Sequence, residues 1–425
     1  MTVTESHDMS SAADVGAIPL DEIDVSQPHL FQTDTWQHAF ARLRREAPVH
    51  YCPESRTGPY WSVSSHAAIM AVDTNHEVFS SEIGGIVIAD PPPPEHGESA
   101  IRSKSFITMD EPRHKEQRKA VSPSVAPKNL KNFEPLIRER AADILDTLPI
   151  GETFNWVDKV SVELTARMLA TLFDFPYERR RDLIHWSDLA TAVPSITGQA
   201  QDMDARRKEL IDCAVTFHEL WNERAELPPS ADLISMLAHS DATKDMNKDP
   251  IAILGTMLLL IVGGNDTTRN SISGGVAALN QYPDEYDKLR ADQSLIPNMV
   301  AEMIRWQTPL IHMRRTALKD VELGDKTIRK GDKVIMWYLS GNRDDTVFDD
   351  ADRLIIDRPN ARRHVSFGFG VHRCMGNRLA ELQLRILWEE IMKRFRKVEV
   401  VGDIERASSN FVRGIVNLPV QLHPH

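Results

Sequence analysis

The ten residues Phe367-Gly368-Phe369-Gly370-Val371-His372-Arg373-Cys374-Met375-Gly376 constrain this chain more than any other stretch. Glycines at 368 and 370 let the backbone take positive φ and pass close to a large flat group. Beyond them Ala380, Leu384, Leu387, Ile391 and Phe395 recur at helical spacing, so an amphipathic helix follows. Cys374 therefore stands at a helix N-terminus, where free amides and the helix dipole favour a thiolate. A thiolate held by backbone N–H groups beside the ring of Phe367 suits an axial ligand to iron. A lone cysteine after a glycine turn is ordinarily a small buried hydrophobe. Here the aromatic, both early glycines, His372, Cys374 and Gly376 fall in one register, and the ligand reading prevails.

A second stretch, from Ile251 to about Asn280, reads as one long helix. Its run Leu258-Leu259-Leu260-Ile261-Val262 is apolar on all sides, as in a helix buried all round. In the middle lies Gly263-Gly264-Asn265-Asp266-Thr267-Thr268, poor helix interior in which each glycine costs about 1 kcal/mol against alanine. The Thr267 hydroxyl can donate to the carbonyl of Gly263, four residues back, and open the helix locally. Such weakness inside a buried helix marks either a kink made for packing or a site with a task.

Around these anchors the chain reads as mainly α with a smaller β region, one domain over residues 31–425. Residues 1–30 are polar and acidic and are expected to form a loose tail. A helix over 34–45 precedes a Gly58-Pro59 turn and the β-prone Tyr60-Trp61-Ser62-Val63. Residues 80–110 carry Ile86-Val87-Ile88 and then Pro91 to Pro94, which suits a surface loop and a pocket-covering loop equally. His114 and Arg118 share one face of a helix opened by Pro112. Residues 135–226 are mainly amphipathic helix, broken at 194–198, and residues 410–414 read as a hairpin tip.

Bulk properties exclude several partners. A net charge of −12 speaks against nucleic acid or an anionic membrane bound through net charge. Three cysteines (Cys52, Cys213, Cys374) give no disulfide framework, so a reducing cytoplasm is expected. The first residues lack the basic and apolar regions of a secretion signal. The longest apolar run, 251–262, is shorter than the roughly 20 residues a bilayer span needs, so no membrane span is expected.

The cysteine stretch resembles the ligand loop of the cytochrome P-450 superfamily, and further motifs follow that family's order from about residue 30 onward. The resemblance implies a mainly α fold with haem b held between a long kinked central helix and the cysteine loop. It implies Cys374 as axial ligand with Phe367 beside it, and His114, Arg118, Arg315 and His372 as propionate donors, Arg314 being able to substitute. Glu302, Arg305 and Arg353 would form a structural ion cluster. Asp266 and Thr267 would be the acid–alcohol pair that relays protons during O2 activation. The break at 194–198 would separate two lid helices.

No G-x-G-x-x-G fingerprint appears, so electrons from NAD(P)H would arrive through separate proteins. The resemblance suggests a 2Fe-2S ferredoxin and its reductase, docking near Arg113, Lys115, Lys119, Lys128 and Lys131. At finer grain, 263–276, 311–317 and 364–390 resemble bacterial alkane hydroxylases, which implies terminal hydroxylation of medium-chain n-alkanes. Fatty acids and terpene or steroid side chains are the alternative substrates; a carboxylate would want Arg102 or Lys104. A haem-thiolate sensor without turnover is a further alternative, which the Asp266-Thr267 pair disfavours. Ile83, Ile86, Val87, Leu259, Gly263, Leu310, Ile311, Phe411 and Val412 are candidate pocket residues. A primary C–H bond is stronger than its secondary neighbours, so terminal attack needs a narrow channel. The constriction is expected in 80–107 and 310–313.

Overall fold

In the computed structural model, which describes residues 7–90, 104–192, 197 and 202–425, one helix runs through the middle and others lean on it. This central helix is Pro250–Gln281, 32 residues, or about 48 Å long. The Asp249 carboxylate caps it by accepting from the N–H groups of Ile251 and Ala252, and Pro250 takes the first position, where no N–H is needed. Helices Glu163–Phe173, Arg180–Thr191, Met203–Glu226 and Ile296–Gln307 pack on it. By length and composition it is apolar enough to cross a membrane. Instead Ile253, Met257, Ile261, Ile272 and Leu279 bury in the main core of the protein.

The weak middle of this helix does not break it. Thr267 Oγ1 donates to the Gly263 carbonyl at 2.8 Å, yet the helix continues unbroken. The two glycines differ in their reasons. A Cβ on Gly264 would stand 2.8 Å from Leu169 Cδ2, whereas at Gly263 nothing lies within 4 Å. Close packing accounts for Gly264 and leaves Gly263 to be explained by the site.

The main sheet runs Val49–Cys52, Tyr60–Val63, Lys333–Met336, Met313–Ala317, Phe79–Ser80. Tyr60–Val63 and Lys333–Met336 pair in parallel and the other neighbours are antiparallel. A second sheet joins Phe154–Asn155, Pro419–Pro424 and Phe395–Val400. Glu405–Arg406 pairs with Ile415–Asn417, so residues 410–414 do form the tip of a hairpin.

The N-terminal tail is a correction. From residue 7 the chain is docked: Ser11 caps the helix Ala12–Ala17, and Met9, Val15, Ile18, Ile23 and Val25 are buried beside Phe40 and Trp337. A few apolar residues spaced among acids bury as a stripe, which mean composition hides. The Tyr60 hydroxyl donates to Asp24 at 2.9 Å and fastens the segment to the main sheet.

Candidate active site

The cysteine loop folds as its glycines require. Gly368 and Gly370 have φ of 62° and 65°, and a Cβ on Gly370 would come within 2.4 Å of the Asp73 carbonyl. The Cys374 N–H donates to the Phe367 carbonyl at 2.8 Å and closes the loop, just before the helix Asn377–Arg394. Cys374 faces a cavity of about 1100 Å³, lined on its other side by the central helix at Leu259, Gly263, Asp266 and Thr267. Surrounding protein raises the thiol pKa, while the amides of Gly376 and Asn377 and the charges of Arg118 and Arg373 pull it down. Burial outweighs the helix-end amides, and a metal ion held at the sulfur would supply the charge that favours the thiolate.

A polar rim borders the same cavity. The rings of His114 and His372 lie with centroids 4.1 Å apart and planes tilted by 47°. His114 Nδ1 is engaged by Glu111 at 3.2 Å. His114 Nε2 and His372 Nδ1 are buried without a partner among the described residues. Burial lowers both histidine pKa values, His372 to about 2, so a neutral His372 has one N–H to donate. At His114 the Glu111 carboxylate can only accept and holds the hydrogen on Nδ1, so that Nε2 would donate once a propionate charge favours the protonated ring. Arg118 and Arg315 line the cavity beside them. Arg118 donates to the Arg373 carbonyl, and Arg315 Nη2 to Asp73 at 2.9 Å. A thiol facing a mostly apolar cavity, with His114, Arg118, Arg315 and His372 also in its lining, fits haem and its two propionates. Arg314 is turned away, paired with Asp90 at 2.7 Å and packed on Gly84. Of the two candidate arginines, Arg315 is the one that reaches the cavity.

On the opposite side Asp266 is 1% exposed. Its Oδ1 accepts from Asn265 at 3.0 Å and from Arg269 at 2.7 Å. Oδ2 has no hydrogen-bond partner within reach among the described residues, and the Ser187 hydroxyl stands near it. Burial raises the carboxyl pKa to about 6 against the pull of Arg269, and the charge of Asp188 adds to the rise. Arg269 also donates to the half-exposed Asp188 at 2.9 Å, which links Asp266 to the surface. The i, i+3 spacing of Asp266 and Arg269 was visible in the sequence and went unread.

The ion cluster corrects one residue. Glu302 accepts from Arg305 Nε at 2.7 Å and Nη2 at 2.8 Å, from Arg358 Nε at 3.0 Å and from the Ile355 N–H at 2.9 Å. Arg358 takes the place assigned to Arg353. Arg353 points its side chain outward to Asp284 and gives the cluster its carbonyl, which accepts from Arg305 at 2.9 Å and Arg358 at 3.0 Å.

Ile86, Val87, Leu259, Gly263, Leu310, Phe411 and Val412 line the cavity, joined by Phe106, Leu169 and Met313. Ile83 does not line it: it is 52% exposed. Ile311 is fully buried, but behind the wall with Trp337. Leu310 faces the cavity, so in extended chain the next side chain points to the back. Lys104 is paired with Asp249 at 3.0 Å. Arg113 pairs with Glu82, while Lys115, Lys119, Lys128 and Lys131 are exposed. Pro91 to Pro94, Arg102 and all of 194–198 except Thr197 lie outside the described residues.

Comparison with known proteins agrees with this geometry. The cytochrome P450 family model matches residues 151–422. Linalool 8-monooxygenase of Pseudomonas putida is 38% identical, over 94% of this chain and 99% of its own. Methyl-branched lipid omega-hydroxylase of Mycobacterium bovis is 30% identical, over 96% and 98%. The solved structure of cytochrome P450-153 from Novosphingobium aromaticivorans superposes with TM-score 0.88 at 49% identity, over 94% of this chain and 99% of that one. With that fold, a cavity-facing Cys374 and a donor set matched to haem, the chain belongs to the cytochrome P450 family and is a monooxygenase close to its omega-hydroxylating members.

Proposed function

We propose that this enzyme hydroxylates the terminal carbon of medium-chain n-alkanes and related apolar chains in the cytoplasm. Electrons come from NAD(P)H through a ferredoxin and its reductase. The observation that carries this reading is the cavity itself: about 1100 Å³, walled by Ile86, Val87, Leu259, Leu310, Phe411 and Val412, with Cys374 on one side and Asp266 and Thr267 on the other. Haem b, when bound, supplies the centre at which O2 is reduced and one oxygen atom is passed to a C–H bond.

The chain's own residues supply the rest. Cys374 would hold the haem iron through its sulfur, with Phe367 beside it in the lining, and His114, Arg118, Arg315 and His372 would hold the propionates. Asp266, with a pKa of about 6, is poised to take protons from the Arg269–Asp188 side and give them up within the cavity. Thr267 donates its hydrogen to the Gly263 carbonyl, which leaves its oxygen lone pairs to accept a hydrogen bond from a donor within the cavity and hold it in place. Side chains from three loops exclude water and present the end of a chain. Lys115, Lys119, Lys128 and Lys131, exposed on the cysteine side, attract an acidic ferredoxin. Two relatives at about 30% identity carry names for attack at chain ends, methyl-branched lipid omega-hydroxylase and steroid C26-monooxygenase.

The test is product analysis of the haem-loaded enzyme with n-octane, a ferredoxin, its reductase and NADH. Mainly 1-octanol is expected. Mainly internal alcohols would keep the monooxygenase and remove the terminal assignment. A fatty acid, steroid or terpene chain is the second reading, and faster turnover of a medium-chain fatty acid than of octane would favour it. The Lys104–Asp249 pair weighs against a carboxylate held there.

A further inference from the structure

Behind the apolar wall of the cavity lies one fully buried histidine, His312. The wall is assembled from three separate pieces of chain: Ile86 and Val87, Leu310 and Met313, and Phe411 and Val412 at the hairpin tip. His312 sits where they meet. Its Nε2 is 3.1 Å from the backbone nitrogen of Ile88, and its Nδ1 is 2.8 Å from the backbone oxygen of Asn410.

An N–H can only donate and a carbonyl can only accept, so Nε2 carries the lone pair and Nδ1 the hydrogen. Only this neutral tautomer makes both bonds, and burial keeps the ring neutral by lowering its pKa to about 4. Edge contacts with Trp337 at 5.1 Å and Phe411 at 5.4 Å fix its plane. Backbone bonds pair the neighbours separately: the Ile311 N–H donates to the Phe411 carbonyl and the Arg314 N–H to the Ile86 carbonyl, each at 2.8 Å. The imidazole spans these two pairings and ties one wall to the other.

We propose that His312 is a positioning residue for selectivity: one neutral imidazole joins the Ile86–Ile88 segment to the hairpin tip, and so sets which carbon of the substrate is presented. This rests on the hydroxylase reading above. No other single side chain reproduces the bridge. An asparagine amide can stand near the Nδ1 position and a glutamine amide near the Nε2 position, so each leaves one buried backbone group unpaired.

The experiment compares His312→Asn and His312→Gln with Val398→Ala, a cavity-making change at a buried position of the strand Phe395–Val400 in the other sheet. Hydrogen exchange is read on the segments containing Ile88 and Phe411, and the ratio of terminal to internal alcohols is read with n-octane. In both His312 variants these segments lose protection and the ratio shifts about fivefold or more, while Val398→Ala keeps the parental ratio even when it melts as low. Parental protection and a parental ratio in a folded His312 variant overturn the proposal. Exchange needs no substrate, so a failure of the alkane assignment leaves this reading intact. If neither variant folds, the unmodified protein decides. An Ile88 amide protected as well as that of Arg314 supports the bridge, and one exchanging as a free loop amide overturns it.

Discussion

Glu302 and Asp266 are both buried carboxylates beside arginine, and the protein treats them in opposite ways. Glu302 has two guanidinium groups and a backbone N–H on its oxygens, and both oxygens are occupied. Asp266 has one guanidinium, shared with Asp188, and an Oδ2 with no hydrogen-bond partner among the described residues. Burial then wins at Asp266 and raises its pKa to about 6. A carboxylate with every lone pair engaged is a strut, since any change of charge strands its partners. A carboxylate left short can exchange a proton near neutral pH, as a relay must.

Breaking the strut has the largest expected effect. Glu302→Gln leaves Arg305 and Arg358 buried with no anion, a loss of about 3–5 kcal/mol against a usual total of about 5–15. Little haem-loaded protein should result, read as loss of the thiolate-type carbon monoxide spectrum in the soluble fraction. A Glu302→Gln protein that loads haem and melts within a few degrees of the parent would erase the contrast.

Asp266→Asn should cut turnover by about 10²–10⁴-fold and act on stability with the other sign. A carboxyl whose folded pKa of about 6 lies above its ordinary 3.8 contributes stability fully below pH 4 and loses it as pH rises through 6. Asparagine does not titrate, and Arg269 keeps Asp188. The variant should therefore gain on the parent between pH 4 and 7, by up to about 3 kcal/mol. Thermal melts at pH 4.5 and 7.5 decide: an equal loss at both would class Asp266 with Glu302. Thr267→Ala is milder, leaving the helix whole and lowering the share of electrons that reach product about tenfold, with hydrogen peroxide as the difference. Full coupling without the hydroxyl would leave Asp266 without its partner in the relay.

The parts legible in sequence are those decided locally. The φ values of Gly368 and Gly370, the helix behind Cys374 and the Thr267–Gly263 hydrogen bond follow from residues a few positions apart. Ile86, Leu310, Phe411 and Val412 reach the cavity as apolar residues of loops and a hairpin tip that need an apolar space to face. What escaped notice was set by packing at long range. The apolar stripe from Met9 to Val25 makes sense only against Phe40 and Trp337. Ile83 and Ile311 are as apolar as Ile86, and only their place in the fold turns them elsewhere. Arg358 and Arg353 are five residues apart, and nothing in their spacing says which sends its side chain to Glu302. Nor does composition show that Asp266 lacks one hydrogen bond.

Arg353 supplies the smallest and sharpest test of the strut. Its guanidinium and its partner Asp284 are 45% and 57% exposed, and a surface pair of that kind contributes about 0–1 kcal/mol. What Arg353 gives the cluster is a carbonyl, and alanine keeps it. Arg353→Ala should therefore shift the denaturant midpoint by no more than about 0.5 kcal/mol equivalent, whereas Arg358→Ala, which takes a buried charge from Glu302, should cost several times that. Equal losses would mean that the outward guanidinium carries the strut. The difference between the two carboxylates would then lie in their distance from the surface rather than in how many of their oxygens are engaged.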